Sequence, residues 1–433
     1  LYFRAAELYG RHGRSEADLR LAASLAHTAR QILPDNRDIR RLQLSTAIEV
    51  TPAAGRVAVL AGCSIDDVND LLVDAVGHER WMVAVVACAQ LAAAGTSDLL
   101  RESAPQLSPL ALATRSADRR IRIAAIEAIG RLAAQTPYPG SSDVLVALDY
   151  FVRSKGARRA IVADVREQHA RNVAGLLATQ GIEAEIATDD RTLFELATTM
   201  PDCELILIQM TLVEPAASSN LARLRQDART AMIPIGILAS SDKVDRAEAI
   251  ARRHPRTLAF VDAPIEAAAA RAVAATASLG NGEQLTAADR LQQAQFAFDW
   301  LLAADDAVVS VDQWRSLEDA IASAVYVPSL SGKAVALLSR TGTATSQRLL
   351  IEIANNAVQP LAVRQAAVAA LGESLVDFGT LLTTTEIAAQ YDRYNSSQQT
   401  SREEQQLFAA ILDQIELRAA SDAPTSTAGS VPR

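Results

Sequence analysis

Three kinds of side chain in this sequence could do chemistry: adjacent acids, short runs of arginine, and the cysteines and histidines. Asp189-Asp190, Asp305-Asp306 and Glu403-Glu404 are paired acids of the kind used in general acid–base catalysis. They sit at helix starts or in polar stretches, where carboxylates complement the helix dipole, and we read them that way. Arg119-Arg120-Arg122 and Arg252-Arg253-Arg256 could bind phosphate or nucleic acid. No aromatic residues interleave with them and no wider basic stripe surrounds them, so solvated helix faces are expected. Cys63, Cys88 and Cys203 are scattered among apolar neighbours and form no C-x-x-C or Cys/His spacing, which predicts small hydrophobes and no metal site. G-x-S-x-G, P-loop and G-x-G-x-x-G patterns are absent. The side chains therefore predict no catalytic residues, no metal and no cofactor.

The elements that would position these residues fall into three stretches. In the middle, apolar runs at Ala160–Ala163, Glu183–Ala187, Leu205–Ile208, Ile235–Leu238 and Leu258–Val261 alternate with helix-like segments. Their length and β-branched content suit buried parallel strands in a doubly wound α/β unit. On either side the pattern is helical. Glu16–Ile32 places Leu19, Ala22, Ala23, Ala26 and Ala29 at helical spacing. Leu33-Pro34-Asp35-Asn36 stops it, and Asp35 or Asn36 can cap a second helix from Asp38 to Glu49. Near the other end, Ser401–Ala420 reads as an amphipathic helix with Leu407, Ile411, Leu412 and Ile415 on one side.

Some of the helices repeat. Arg80–Leu91 and Arg120–Leu132 align with Gln90 and Gly130 in matching places, about 40 residues apart. Asp118, Arg122, the paired alanines and Gly130 are similar to the second helix of a HEAT repeat. Pro360–Gly372, with Arg364 and its alanines, is a closer match and follows a helix-like Gln347–Asn355. Small residues let paired helices approach, while Leu, Ile and Val fill the seam to the next pair. The N-terminal hairpin is similar to a tetratricopeptide unit, without its full signature.

The middle segment resembles the receiver domain of two-component signalling. The resemblance implies the strand order 2-1-3-4-5, and the prolines Pro234 and Pro264 stand where receivers carry prolines. It also implies an active edge, which this sequence has largely lost. Asp164 matches one of the two metal-holding acids, and Val165 stands at the other. Gln209 occupies the phosphoacceptor position and has no carboxylate oxygen to attack phosphorus. The hydroxyl position after the fourth strand falls on Ala239, with Ser240 adjacent, and the lysine position falls on Ala263. The segment thus resembles a pseudo-receiver. A surviving protein-contact face would be Ser240–Arg253 and Phe260–Ile265, with Arg252, Arg253 and Arg256 as its charged rim.

At 433 residues with 49% hydrophobic side chains and 4% aromatics, the chain is globular and too long for one ordinary core. The expected organisation is helical HEAT- or tetratricopeptide-like repeats over 1–155, a flavodoxin-like, receiver-like five-stranded parallel α/β domain over 158–278, HEAT-like helices over 283–420, and a disordered tail over 421–433. The net charge of −9 is spread as +1 over 1–157, −2 over 158–277 and −8 over 278–433. Such a balance argues against a nucleic-acid-binding repeat protein, which would carry a basic stripe. No apolar run approaches the ~18 residues of a membrane span. The chain opens at Leu1 without a methionine, which leaves room for an upstream segment, and the expected compartment is the cytoplasm. The 39 arginines against three lysines fit GC-rich, bacterial coding. The function expected is a non-enzymatic signalling adaptor or scaffold with an unidentified protein partner. One alternative is a sensory module whose degenerate pocket binds a small ligand, and a second is a HEAT-like nucleic-acid-binding protein, against which the acidity argues.

Overall fold

The computed structural model describes residues 1–11, 15–101, 105–132, 137–213, 217–262, 266–279, 285–304, 309–399 and 401–422. Eight helices come first: α1 (Tyr2–Gly10), α2 (Glu16–Ile32), α3 (Arg37–Val50), α4 (Ile65–Gly77), α5 (Trp81–Ala94), α6 (Pro109–Ala113), α7 (Arg119–Leu132) and α8 (Ser141–Val152). Local chemistry sets their ends. Ser15 and Asp18 form a reciprocal capping box on α2, and the Asn36 side chain accepts the Ile39 N–H at 3.0 Å to start α3. Helices α2 and α3 pack together, as do α4 and α5, and α5 packs on α7, the helix carrying the repeated pattern.

The α/β domain follows. Its strands are β1 (Arg159–Ala163), β2 (Glu183–Ala187), β3 (Cys203–Gln209), β4 (Ile235–Ala239) and β5 (Thr257–Val261). Its helices are α9 (Glu167–Ala178), α10 (Asp190–Thr199), α11 (Met210–Val213), α12 (Ala217–Gln226), α13 (Val244–Ala251) and α14 (Glu266–Ala277). All strand pairs are parallel and the order is β2-β1-β3-β4-β5, the flavodoxin-like order. Every expected strand is present within a residue or two of its expected ends.

Each sheet face has its own core. On one, Ile161, Ile206, Ile208 and Ile237 pack with Leu193 of α10, Leu221 and Leu224 of α12 and Ala247 of α13. On the other, Val162, Leu205, Leu207 and Leu238 pack with Val173 and Leu177 of α9 and Val273 of α14. Period-two alternation sends neighbouring strand residues to opposite faces, so helices must cover both.

The remaining helices are α15 (Ala287–Ala303), α16 (Val311–Ala324), α17 (Ser331–Leu338), α18 (Ala344–Asn355), α19 (Leu361–Phe378), α20 (Thr384–Ser396) and α21 (Arg402–Asp422). Pro360 precedes α19, and the buried Arg364 guanidinium donates from Nε to the Ala354 carbonyl at 2.8 Å, tying α19 to the end of α18. Leu407, Ile411, Leu412 and Ile415 are buried on α21 as their spacing requires. The chain divides into two compact units: residues 1–150 with 156–290, and residues 151–155 with 291–433. The N-terminal helices and the α/β domain thus belong to one unit. Of the tail expected over 421–433, Ser421 and Asp422 still belong to α21 and the rest lies outside the described residues; no described helix is long and apolar enough to cross a membrane.

Candidate functional site at the C-terminal strand edge

In the order 2-1-3-4-5, the chain leaves β1 toward β2 on one side and reaches β3 on the other. Loops after β1 and β3 therefore diverge, and the crevice between them is where open α/β sheets carry their sites. Asp164 directly follows β1, Gln209 closes β3, and Asp262 directly follows β5. All three side chains meet there.

The centre of the arrangement is an imidazole. His169, in the first turn of α9, places Nδ1 2.6 Å from Asp164 Oδ2 and Nε2 3.2 Å from Asp262 Oδ2. The first contact is a hydrogen bond, whereas the second is an approach at ion-pair distance without hydrogen-bond geometry. Asp164, 1% exposed, also accepts the Arg166 backbone N–H at 2.8 Å and its Nη2 at 3.2 Å. The same Nη2 lies 3.8 Å from Asp262 Oδ2. Gln209 is buried. Its Nε2 donates to Asp262 Oδ2 at 2.7 Å, and its Oε1 accepts the Met210 N–H at 2.8 Å. The Asp262 N–H donates to the Ala239 carbonyl at 2.7 Å, which fixes the carboxylate over the ends of β3 and β4.

Of the residues singled out in the sequence, Asp164 and Gln209 come together at this edge. Val165 is 55% exposed and offers nothing to it. Ala239 is fully buried at the end of β4, Ser240 follows it and is exposed, and Ala263 lies outside the described residues. Arg166, His169 and Asp262 escaped notice. An acid, an arginine two residues on and a histidine five residues on, at a strand-to-helix turn, was the signal available for the first half. Nothing in the sequence joined Asp262 to them.

Chemically, the arrangement is closed. Both imidazole nitrogens face carboxylates, and Gln209 turns its NH2 to Asp262 while its carbonyl accepts the Met210 N–H. Among the described residues no group of histidines, cysteines and acids is placed to hold a metal ion.

The first arginine cluster departs from the solvated face expected of it, and the second does so only at Arg256. Arg122 is buried with its guanidinium carbon 4.3 Å from the Tyr150 ring centroid, and its Nη1 donates to the Ala228 carbonyl at 3.3 Å. Arg119 donates to the Pro201 carbonyl at 2.8 Å, and Arg120 pairs with the buried Asp118 at 2.5 Å while lying 4.2 Å over Trp81. A guanidinium can be desolvated this way because a ring face and carbonyls replace its water. In the second cluster Arg252 and Arg253 are exposed, whereas Arg256 pairs with Glu79 after α4 and has φ of 52°. Arg256 therefore bridges two parts of its own chain.

The acid pairs behave as helix starts: Asp189 caps α10 by accepting the Thr192 N–H at 2.9 Å, and Glu403 and Glu404 lie in the first turn of α21. Asp305-Asp306 lies outside the described residues. Cys88 is buried, and burial pushes its thiol up to about 12, while Cys63 and Cys203 are half-buried. A shallow groove of about 330 Å³ runs between α19 and α21, lined by Leu361, Val368 and Leu407 with Gln365, Gln406 and Gln414. Comparison with known families finds no matching family model, and no curated protein is significantly similar to the chain.

Proposed function

We propose that this chain is a non-enzymatic adaptor or scaffold of the signalling type. Its α/β domain is a pseudo-receiver that takes no phosphoryl group, and its helices are HEAT-like arrays that contact another protein. The observation that carries the reading is the strand edge itself. An amide stands where phosphoryl chemistry needs a carboxylate, and the neighbouring imidazole is engaged at both nitrogens. Receiver-type phosphoryl transfer needs an in-line carboxylate nucleophile, and the amide of Gln209 is not one. The groove between α19 and α21, apolar along its length and edged by amides and the Glu403 carboxylate, is a shape suited to a protein side chain.

The test is incubation of the purified protein with acetyl phosphate and Mg²⁺, followed by intact-mass measurement. No stable phosphoryl adduct is expected. An adduct mapped to a carboxylate of residues 158–278 would defeat the pseudo-receiver reading. For the adaptor role, proteins retained from the native cell are compared between wild type and the Arg252→Glu/Arg253→Glu variant. Loss of one specific partner from the variant supports contact through this exposed rim, and identical retention limits these arginines to a solvated surface.

A further inference from the structure

A receiver-like fold implies a magnesium ion held by carboxylates at the ends of β1 and β3. The residues at this edge do not fit one. Mg²⁺ requires near-octahedral oxygen ligands at about 2.0–2.1 Å and keeps several waters. Here three of the four carboxylate oxygens, both of Asp164 and Oδ2 of Asp262, face protein donors. Asp164 Oδ2 faces His169 Nδ1 at 2.6 Å, and Asp164 Oδ1 accepts the Arg166 N–H at 2.8 Å. Asp262 Oδ2 accepts from Gln209 Nε2 at 2.7 Å and faces His169 Nε2 at 3.2 Å and Arg166 Nη2 at 3.8 Å. The ring lies between the two carboxylates, in the space an ion bridging them would need, and the Gln209 group facing that space is a donor.

We propose that Arg166 and His169 are a built-in counter-ion that binds Asp164 and Asp262 and keeps divalent cations out of this edge. Two features make this more than a chance contact. Asp164 is buried at 1% exposure, so an unpaired charge there would be costly, and the side chains compensating it come from the turn that starts α9. The second carboxylate arrives from the far strand β5 and lands on the other nitrogen of the same ring. These contacts come from the chain itself and tie the C-terminal ends of β1, β3 and β5 together.

The inference rests on the receiver-like reading of this edge but fails separately from it. Mn²⁺ binding to the full chain is measured by calorimetry for wild type and for Arg166→Ala/His169→Ala. Freed of its internal cations, the variant should bind Mn²⁺ at least about tenfold more tightly than wild type. Equal binding, or none by a variant shown to be folded by circular dichroism, overturns the proposal. Should the double variant fail to fold, the wild type decides. The ring resonances of His169, assigned by loss in His169→Gln, should not move on addition of Mg²⁺, and a saturable shift overturns the counter-ion. Metal binding by the wild type without phosphoryl uptake would sink this inference alone, whereas phosphoryl uptake would sink the pseudo-receiver reading.

Discussion

The guanidinium of Arg122 stacks on the ring of Tyr150, its carbon 4.3 Å from the centroid, while Nη1 reaches the Ala228 carbonyl beyond α12. One side chain thus joins two N-terminal helices to the α/β domain. A desolvated cation–π contact contributes on the order of 1–2 kcal/mol. In a double-mutant cycle with Arg122→Met and Tyr150→Leu, followed by urea denaturation, a coupling of about 1 kcal/mol is expected. Additive effects would show that the stack contributes nothing.

Residues 158–278 should fold alone. Both core clusters of the sheet draw their side chains from within that segment. The isolated segment loses the contacts of Arg119 and Arg122 and the pairing of Arg256 with Glu79, so its denaturation midpoint should lie below that of the unit it leaves. A cooperative transition by circular dichroism is the expected result. A gradual, non-cooperative loss of signal would mean that the N-terminal helices are part of its folding unit.

Gln209→Asp should not restore phosphoryl uptake, and it should destabilise the domain. The new carboxylate would lie beside Asp262 in place of the amide that now donates to it at 2.7 Å. Losing that donor and adding a like charge in a buried position costs about 1–3 kcal/mol at neutral pH. Protonation of one carboxyl relieves the repulsion, so the deficit should shrink as the solution is made acidic. A variant as stable as wild type at neutral pH would contradict the geometry.

His254 supplies a pH signature. Burial, with Arg225 and Arg253 nearby, holds its imidazole below the ordinary value of 6.5. The folded chain therefore binds this proton less readily than the unfolded chain. The associated stability is complete above pH 6.5 and is lost as the pH falls from there through the folded value. Comparing melting temperatures at about pH 7.5 and about pH 5.5, His254→Asn should show a smaller drop than wild type. An equal drop would assign the acid sensitivity to other groups.

Local pattern made much of this protein legible. Leu205–Ile208 and Ile235–Leu238 are apolar runs of strand length, the second directly after Pro234, so they read as buried strands before any partner strand is known. Asn36 was recognisable as a cap because its side chain acts on a backbone amide three residues away. Such signals are short-range: the sequence alone sets which stretches are helix or strand, and which faces must be buried.

What the tertiary structure decided is the fate of the polar side chains. The sequence reading took Arg122 for a solvated cation because charge alone predicts exposure, yet the fold brings it a tyrosine face and a carbonyl that replace its water. Asp164 and Gln209 were visible as polar residues at strand ends, but the side chains that meet them there were not. His169 meets Asp262 only after β5 has been laid down at the far side of β4, and no local periodicity carries that information. The sequence by itself therefore determined the elements and put an amide, Gln209, at the end of β3. Only the packing of distant strand ends, through short-range contacts of buried charge, decided that the edge is closed by groups of the chain's own.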